Sequence, residues 1–359
     1  MNVIKIIVFG MLKYTGFFHL SRRLHARGVR ILGYHGSSLD DEHAFRDVLF
    51  MRPETFRRRM GLLEKWQMNV IPLETAVNAL SGQHPLPDHA LVLTFDDGWA
   101  STYSMAMPVL ESMGYQATVY VSTYYANKQH LVFKVLIHYL FWKSRAEHFT
   151  LEGWHESIDG THGPLDEAGR MDLMEAIAGV ARDHCVPEQR DTLARAVAAA
   201  LEVDITAIEQ SRMFHFMSVE ELQDLLKRGF DLQLHTHRHR LTADEGQVVR
   251  ELTDNRMALQ RIRPGNYNDF CYPSGNFDEQ QFPWLRALGI RSATTCNPGF
   301  NYPGSCPYRL GRFLDREQVS DLEFEAEICG VLELVRRCRG RTTPVAALTA
   351  DSDPQVHNP

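Results

Sequence analysis

The sequence lacks paired cysteines, long apolar runs and any excess of positive charge. Its six cysteines stand at 185, 271, 296, 306, 329 and 338, and no CxxC occurs. That spacing excludes a zinc ribbon and a dithiol redox motif, and reduced thiols are expected throughout, Cys296 and Cys306 included. The largely apolar stretch from Val3 to Met11 is too short to cross a bilayer, and Lys13 keeps it from extending further. Tyr14-Thr15-Gly16-Phe17-Phe18 then offers no small-residue cleavage site, so no cleaved signal is expected. Formal net charge is −7 and the sequence pI is near 6.2, so nothing global favours nucleic acid as a partner. No internal repeat is visible. The Thr-, Pro- and Asp-rich tail at 341–359 is expected to fray.

The composition is globular. The 359 residues are 44% apolar and 23% charged, enough to bury a large core as two domains or one large barrel with additions. The first thirty-nine residues hold Lys5, Lys13, Arg22, Arg23, Arg27 and Arg30 and no carboxylate. Residues 1–29 therefore read as a basic amphipathic helix. It either lies on an anionic membrane surface or docks its apolar face on the domain with its charges in water. The expected location is cytoplasmic, with peripheral contact at the inner face of the membrane through this segment.

Short apolar runs alternate with helical patterns. Arg30–Tyr34, Leu91–Phe95, Ala117–Ser122, Phe230–Leu234, Phe270–Tyr272 and Arg291–Thr295 read as strands. Helices are expected over Arg52–Trp66, Ala100–Met113, Ala243–Ile262 and Asp278–Leu288, and from the Ser218–Glu221 capping box to Gly229. Repeated strand–helix units mean an α/β fold with a mostly parallel sheet or barrel. The rhythm breaks at 126–215, read as a largely helical insertion between a first barrel part at 30–125 and a second at 216–340. Such an addition is expected to lid a groove or dock a partner.

Two segments carry chemistry. Thr94-Phe95-Asp96-Asp97-Gly98 sets two carboxylates at the end of an apolar strand, where catalytic groups of parallel barrels collect. His235-Thr236-His237-Arg238-His239 also follows an apolar strand, and its outer histidines, four apart, suit one ion. Two His with Asp96 or Asp97 and an open position make a hydrolytic metal site.

TFDDG with HTxxH, each at a strand end, resembles the polysaccharide deacetylase family with the NodB-homology domain, carbohydrate esterase family 4. Phe270-Cys271-Tyr272-Pro273-Ser274-Gly275 is similar to that family's third motif. Gly33-Tyr34-His35 resembles the first strand of motif-permuted members that deacetylate poly-β-1,6-N-acetylglucosamine. The resemblance implies a deformed (β/α) barrel of the NodB-homology type. It implies one divalent metal ion, Zn with Co or Ni as options, held by Asp97, His235 and His239. Asp96 is then the general base, Thr236 a brace for the histidine loop, and the Ser274 N–H the oxyanion donor. No late Leu-His-Asp motif follows Gly299, so His35 is the candidate general acid. Cys271 stands where the family often has Arg, and Arg312 is the candidate to supply that charge. Trp99 and Tyr272 are candidate sugar contacts. The implied reaction removes acetyl groups from N-acetylhexosamine units of a polysaccharide or lipid-linked glycan precursor. The rivals are a non-catalytic carbohydrate-binding barrel and an amidohydrolase for a small non-sugar amide. Oligomeric state is not legible. His130, His138, His148 and His155 show no metal spacing, and His237 is expected to face solvent.

Overall fold

The computed structural model describes residues 3–339. Nine strands form one curled sheet, numbered here in chain order: β1 Val29–Tyr34, β2 Asn69–Val70, β3 Ala90–Phe95, β4 Thr118–Val121, β5 Asp231–Leu234, β6 Asp269–Cys271, β7 Ser292–Thr294, β8 Phe300–Asn301 and β9 Phe313–Leu314. Their order is β7-β6-β5-β4-β3-β1-β8, with β2 added on β3 and β9 on β1. Only β8 runs antiparallel to its neighbour. β1, β3 and β4 are buried at every position, which is why they read as continuous apolar runs. Helices cover the sheet, so the architecture is an open, deformed (β/α) barrel, and all parallel strands deliver their carboxyl ends to one side.

Helix ends follow their sequence signals. Ser218 accepts from the Glu221 N–H while Glu221 reaches back to Ser218, and Gly229 leaves the helix at φ 89°. The first segment differs from expectation. It is not one helix but two, Val3–Tyr14 and Phe17–Leu24, broken at Gly16 with φ 79°. Phe9 and Phe18 pack against Ala326, Cys329 and Val331. The expected fraying tail at 341–359 lies outside the described residues.

Residues 126–215 form helices Phe133–Lys143, Glu167–His184, Pro187–Ala200 and Ile205–Ser211, and also a small antiparallel hairpin, Phe149–Leu151 with Gly160–His162, that periodicity missed. This region has its own apolar core, which reaches Phe50 and Trp99 of the barrel. Three of its histidines that lack metal spacing have partners within the protein. His130 meets Asp191 at 3.0 Å, His138 accepts from Arg46, and His155 stacks on His184.

Candidate metal and hydrolytic site

The site is assembled from the ends of β1, β3, β5 and β6 and from Arg312, just before β9. Asp96 and Asp97 follow β3 directly. Asp97 sits at φ 70° and Gly98 at φ 92°, a tight left-handed turn that aims the two carboxylates apart. Asp97 Oδ1 lies 3.3 Å from His235 Nε2 and 3.2 Å from His239 Nε2. The donor atoms of these three residues all fall within 4.8 Å of one another.

The local chemistry fits a cation. His235 Nδ1 donates to the Cys271 carbonyl at 2.8 Å, which turns Nε2 toward Asp97. Burial opposes its charged form, but Cys271 and Asp97 hold this imidazole well above its ordinary value, so a cation bound there would displace the Nε2 proton. Asp97 Oδ1 is buried without a hydrogen-bond partner among the described residues. Burial pushes the His239 imidazole down to about 4, so it is neutral and its lone pair is free. Burial alone would raise the Asp97 carboxyl, but the imidazoles of His239 and His235 hold it well below the ordinary range. Two aromatic nitrogens and one ionised oxygen thus converge on a space that favours positive charge.

The loop is held from behind. His235 N–H donates to Asn255 Oδ1, and the Asn255 amide donates to the Val121 carbonyl and Thr123 Oγ1. Thr236 Oγ1 accepts from the Arg240 N–H at 2.9 Å, the bracing role expected of it. His237 does not face solvent freely. Its Nδ1 meets Thr123 Oγ1 at 2.8 Å and its ring lies edge-on to Tyr124.

Asp96 serves a different set of partners. Arg312, itself wholly buried, grips both its oxygens in a fork of 2.5 and 2.6 Å. Burial would raise this carboxyl as well, and the guanidinium outweighs it and holds it below the usual carboxylate range. Cys271 Sγ is 3.7 Å from Asp96 Oδ2 and 3.1 Å from Arg312. The charge that the third motif lacks at Cys271 therefore arrives from Arg312. Gly33 on β1 makes room for it, since a Cβ there would stand 3.2 Å from the guanidinium carbon and 2.4 Å from Leu314. His35 Nε2 lies 3.7 Å from Asp96 Oδ2, partly open to solvent. Ser274 occupies a tight turn at φ 56° and lines the same cleft as His239, a cavity of 690 Å³ whose far wall carries Arg182 and Asp183 of the insertion.

Two expectations are corrected. Trp99 is 2% exposed and packs edge-on to Phe50 and Phe216, so it presents no face to a sugar. Instead its Nε1 donates to Asp97 Oδ2 at 2.9 Å. Tyr272 is fully buried with its hydroxyl on the Tyr308 carbonyl, and it is a core residue. Sequence reading missed Asn255. Its signal was present: a lone amide on the buried face of Glu245–Ile262, in line with Val248, Leu252, Leu259 and Ile262.

A family model described as polysaccharide deacetylase matches residues 83–162. Over 80 residues the chain is 30% identical to a poly-beta-1,6-N-acetyl-D-glucosamine N-deacetylase of Escherichia coli K12. That segment is 22% of this chain and spans only 12% of the relative. Among solved structures, the Streptococcus pyogenes deacetylase PplD has TM-score 0.55 at 15% identity, over 84% of this chain and 98% of that one. IcaB from Ammonifex degensii has TM-score 0.53 at 17% identity, over 84% and 97%. At these identities the two structures speak for the fold.

Proposed function

We propose that the chain is a polysaccharide deacetylase, a metal-dependent hydrolase removing N-acetyl groups from the N-acetylhexosamine units of a glycan; the family match over residues 83–162 and the shared fold support this reading. One observation carries the reading: the Asp97, His235 and His239 donors converge beside a second carboxylate, Asp96, that Arg312 keeps ionised. A pure binding barrel has no use for that second, oriented base. Zinc suits two imidazoles and one carboxylate, with cobalt or nickel as substitutes.

A divalent ion held by Asp97, His235 and His239 supplies Lewis acidity toward water and the acetyl carbonyl. The chain's own residues do the rest. Asp96 takes the proton of the attacking water, its carboxylate fixed in place by the Arg312 fork. The Ser274 N–H serves as the oxyanion donor in this reading. His35, 3.7 Å from Asp96, delivers a proton to the departing amine, so base and acid stand side by side. The products are acetate and a free hexosamine amine.

The glycan is a polymer or a lipid-linked precursor, met at an anionic membrane surface through the two N-terminal helices. Among the described residues no helix is long and apolar enough to cross a membrane.

The test is acetate release from N-acetylglucosamine oligomers with Zn²⁺, Co²⁺ or Ni²⁺ supplied, repeated with Asp96→Asn. Turnover should appear with at least one metal and fall ~10²–10⁴-fold in the variant. No release under any of the three, or an unimpaired Asp96→Asn, would refute the assignment.

A further inference from the structure

The cleft beside the metal donors does not look like a neutral-sugar groove. It adjoins a second cavity of 290 Å³, and the two share Arg240, Thr242 and Gln247. Four arginines line the pair (Arg182, Arg238, Arg240 and Arg250) against two carboxylates, Asp183 and Glu251. This lies in a chain of net charge −7. Two of the arginines are satisfied: Arg182 pairs with Asp183 at 2.8 Å, and Arg238 with Glu251 at 2.8 Å and Asp254 at 3.4 Å.

Arg240 is not satisfied in that way. Its Nε is buried and without a partner among the described residues. Its backbone is pinned, because its N–H is held by Thr236 Oγ1 and it directly follows the metal-donor candidate His239 at φ 53°. The guanidinium therefore springs from a fixed root beside the reacting centre, at the junction of both cavities. An unsatisfied buried donor is unfavourable unless a ligand supplies the acceptor. A planar guanidinium is matched best by the paired oxygens of a carboxylate or a phosphate.

We infer that the substrate carries an anionic group, a phosphate or a carboxylate, next to the acetylated sugar, and that Arg240 reads it while Arg250 extends the field outward. The inference rests on the deacetylase reading for the sugar, though not for the anion. A uronic acid within the polymer and a diphosphate at the head of a lipid-linked precursor offer the same chemistry.

Equilibrium binding to metal-stripped protein tests this by calorimetry. The three ligands are a neutral N-acetylglucosamine oligomer, an oligomer alternating N-acetylglucosamine with a uronic acid, and N-acetylglucosamine diphosphate carrying a short lipid. At least one anionic ligand should bind about tenfold tighter than the neutral one or better. Arg240→Gln should abolish that preference and Arg240→Lys should restore part of it, and the ligand that gains identifies the source of the anion. Equal affinity for all three, or a preference untouched by Arg240→Gln, overturns the inference. Acetate release is followed in parallel with metal restored. An Arg240-dependent preference without release from any ligand would leave the anion site standing and remove the deacetylase reading.

Discussion

The indole N–H of Trp99 holds the oxygen of Asp97 that the two imidazoles leave alone. A carboxylate with one oxygen fixed cannot rotate away from a cation approaching the other, and such outer partners typically contribute 10–100-fold to metal affinity. Trp99 also belongs to the apolar core that fills the insertion, packing edge-on to Phe216, which in turn meets Tyr125. Trp99→Phe removes the N–H and keeps an aromatic filler. It should lower zinc affinity about 10–100-fold in competition with a chromophoric chelator, while far-UV circular dichroism and thermal midpoint change little. Unchanged affinity would mean that packing alone orients Asp97. Aromatic neighbours of a motif are hard to read from sequence for this reason. Trp99 and Tyr272 look the same on paper whether they face a ligand or a core, and both face the core.

The two N-terminal helices present both faces that the sequence left open. One face docks by Phe9 and Phe18, and Lys5 and Lys13 are spent on Glu323 and Glu325 of the Asp321–Ile328 helix. The other face exposes Ile6, Ile7, Met11 and Tyr14 and, on Phe17–Leu24, Leu20 and Leu24 beside Arg23. Exposed apolar side chains with basic neighbours suit the interface of an anionic bilayer. The protein should cosediment with phosphatidylglycerol vesicles, less so at high salt. Ile7→Glu with Met11→Glu should weaken that by more than tenfold, since each buried side chain contributes ~1.5–3 kcal/mol; equal sedimentation of the double variant would refute membrane contact. At this scale much was legible: the long strands as apolar runs, the Ser218 capping box, the turns at Gly98 and Gly229. The two-residue strands β2, β8 and β9 and the hairpin in the insertion were not, because their pairing is long-range and two residues carry no period. The TFDDG and HTRHR segments were legible because each concentrates its donors locally. Arg312 emerged only by resemblance, since it comes from 216 residues away to meet Asp96.

Across the whole molecule the two ends of the sheet treat buried charge differently. At the carboxyl end Asp96 and Asp97 are held ionised by Arg312 and by imidazoles. At the opposite end Asp231 opens β5, and among the described residues it has no cation on it, only Thr118 Oγ1 at 3.0 Å and Gln233 Nε2 at 3.2 Å. Burial, aided by Asp269, pushes its carboxyl up to about 6. The folded protein therefore holds this proton more tightly than the unfolded chain. Stability from that proton is complete below the unfolded value of 3.8 and is lost as pH climbs through about 6. The whole loss is about 3 kcal/mol, and a small part of it has already occurred at pH 4. Asp231→Asn carries no charge at any pH and can still meet both partners. Measured by urea unfolding, the stability of Asp231→Asn relative to the natural protein should rise by about 2 kcal/mol between pH 4 and pH 8. Effects common to both proteins, loss of metal at low pH included, cancel in that difference. A gap that does not change with pH would show that Asp231 is ionised in the fold, stabilised by a partner that its two neutral neighbours do not provide.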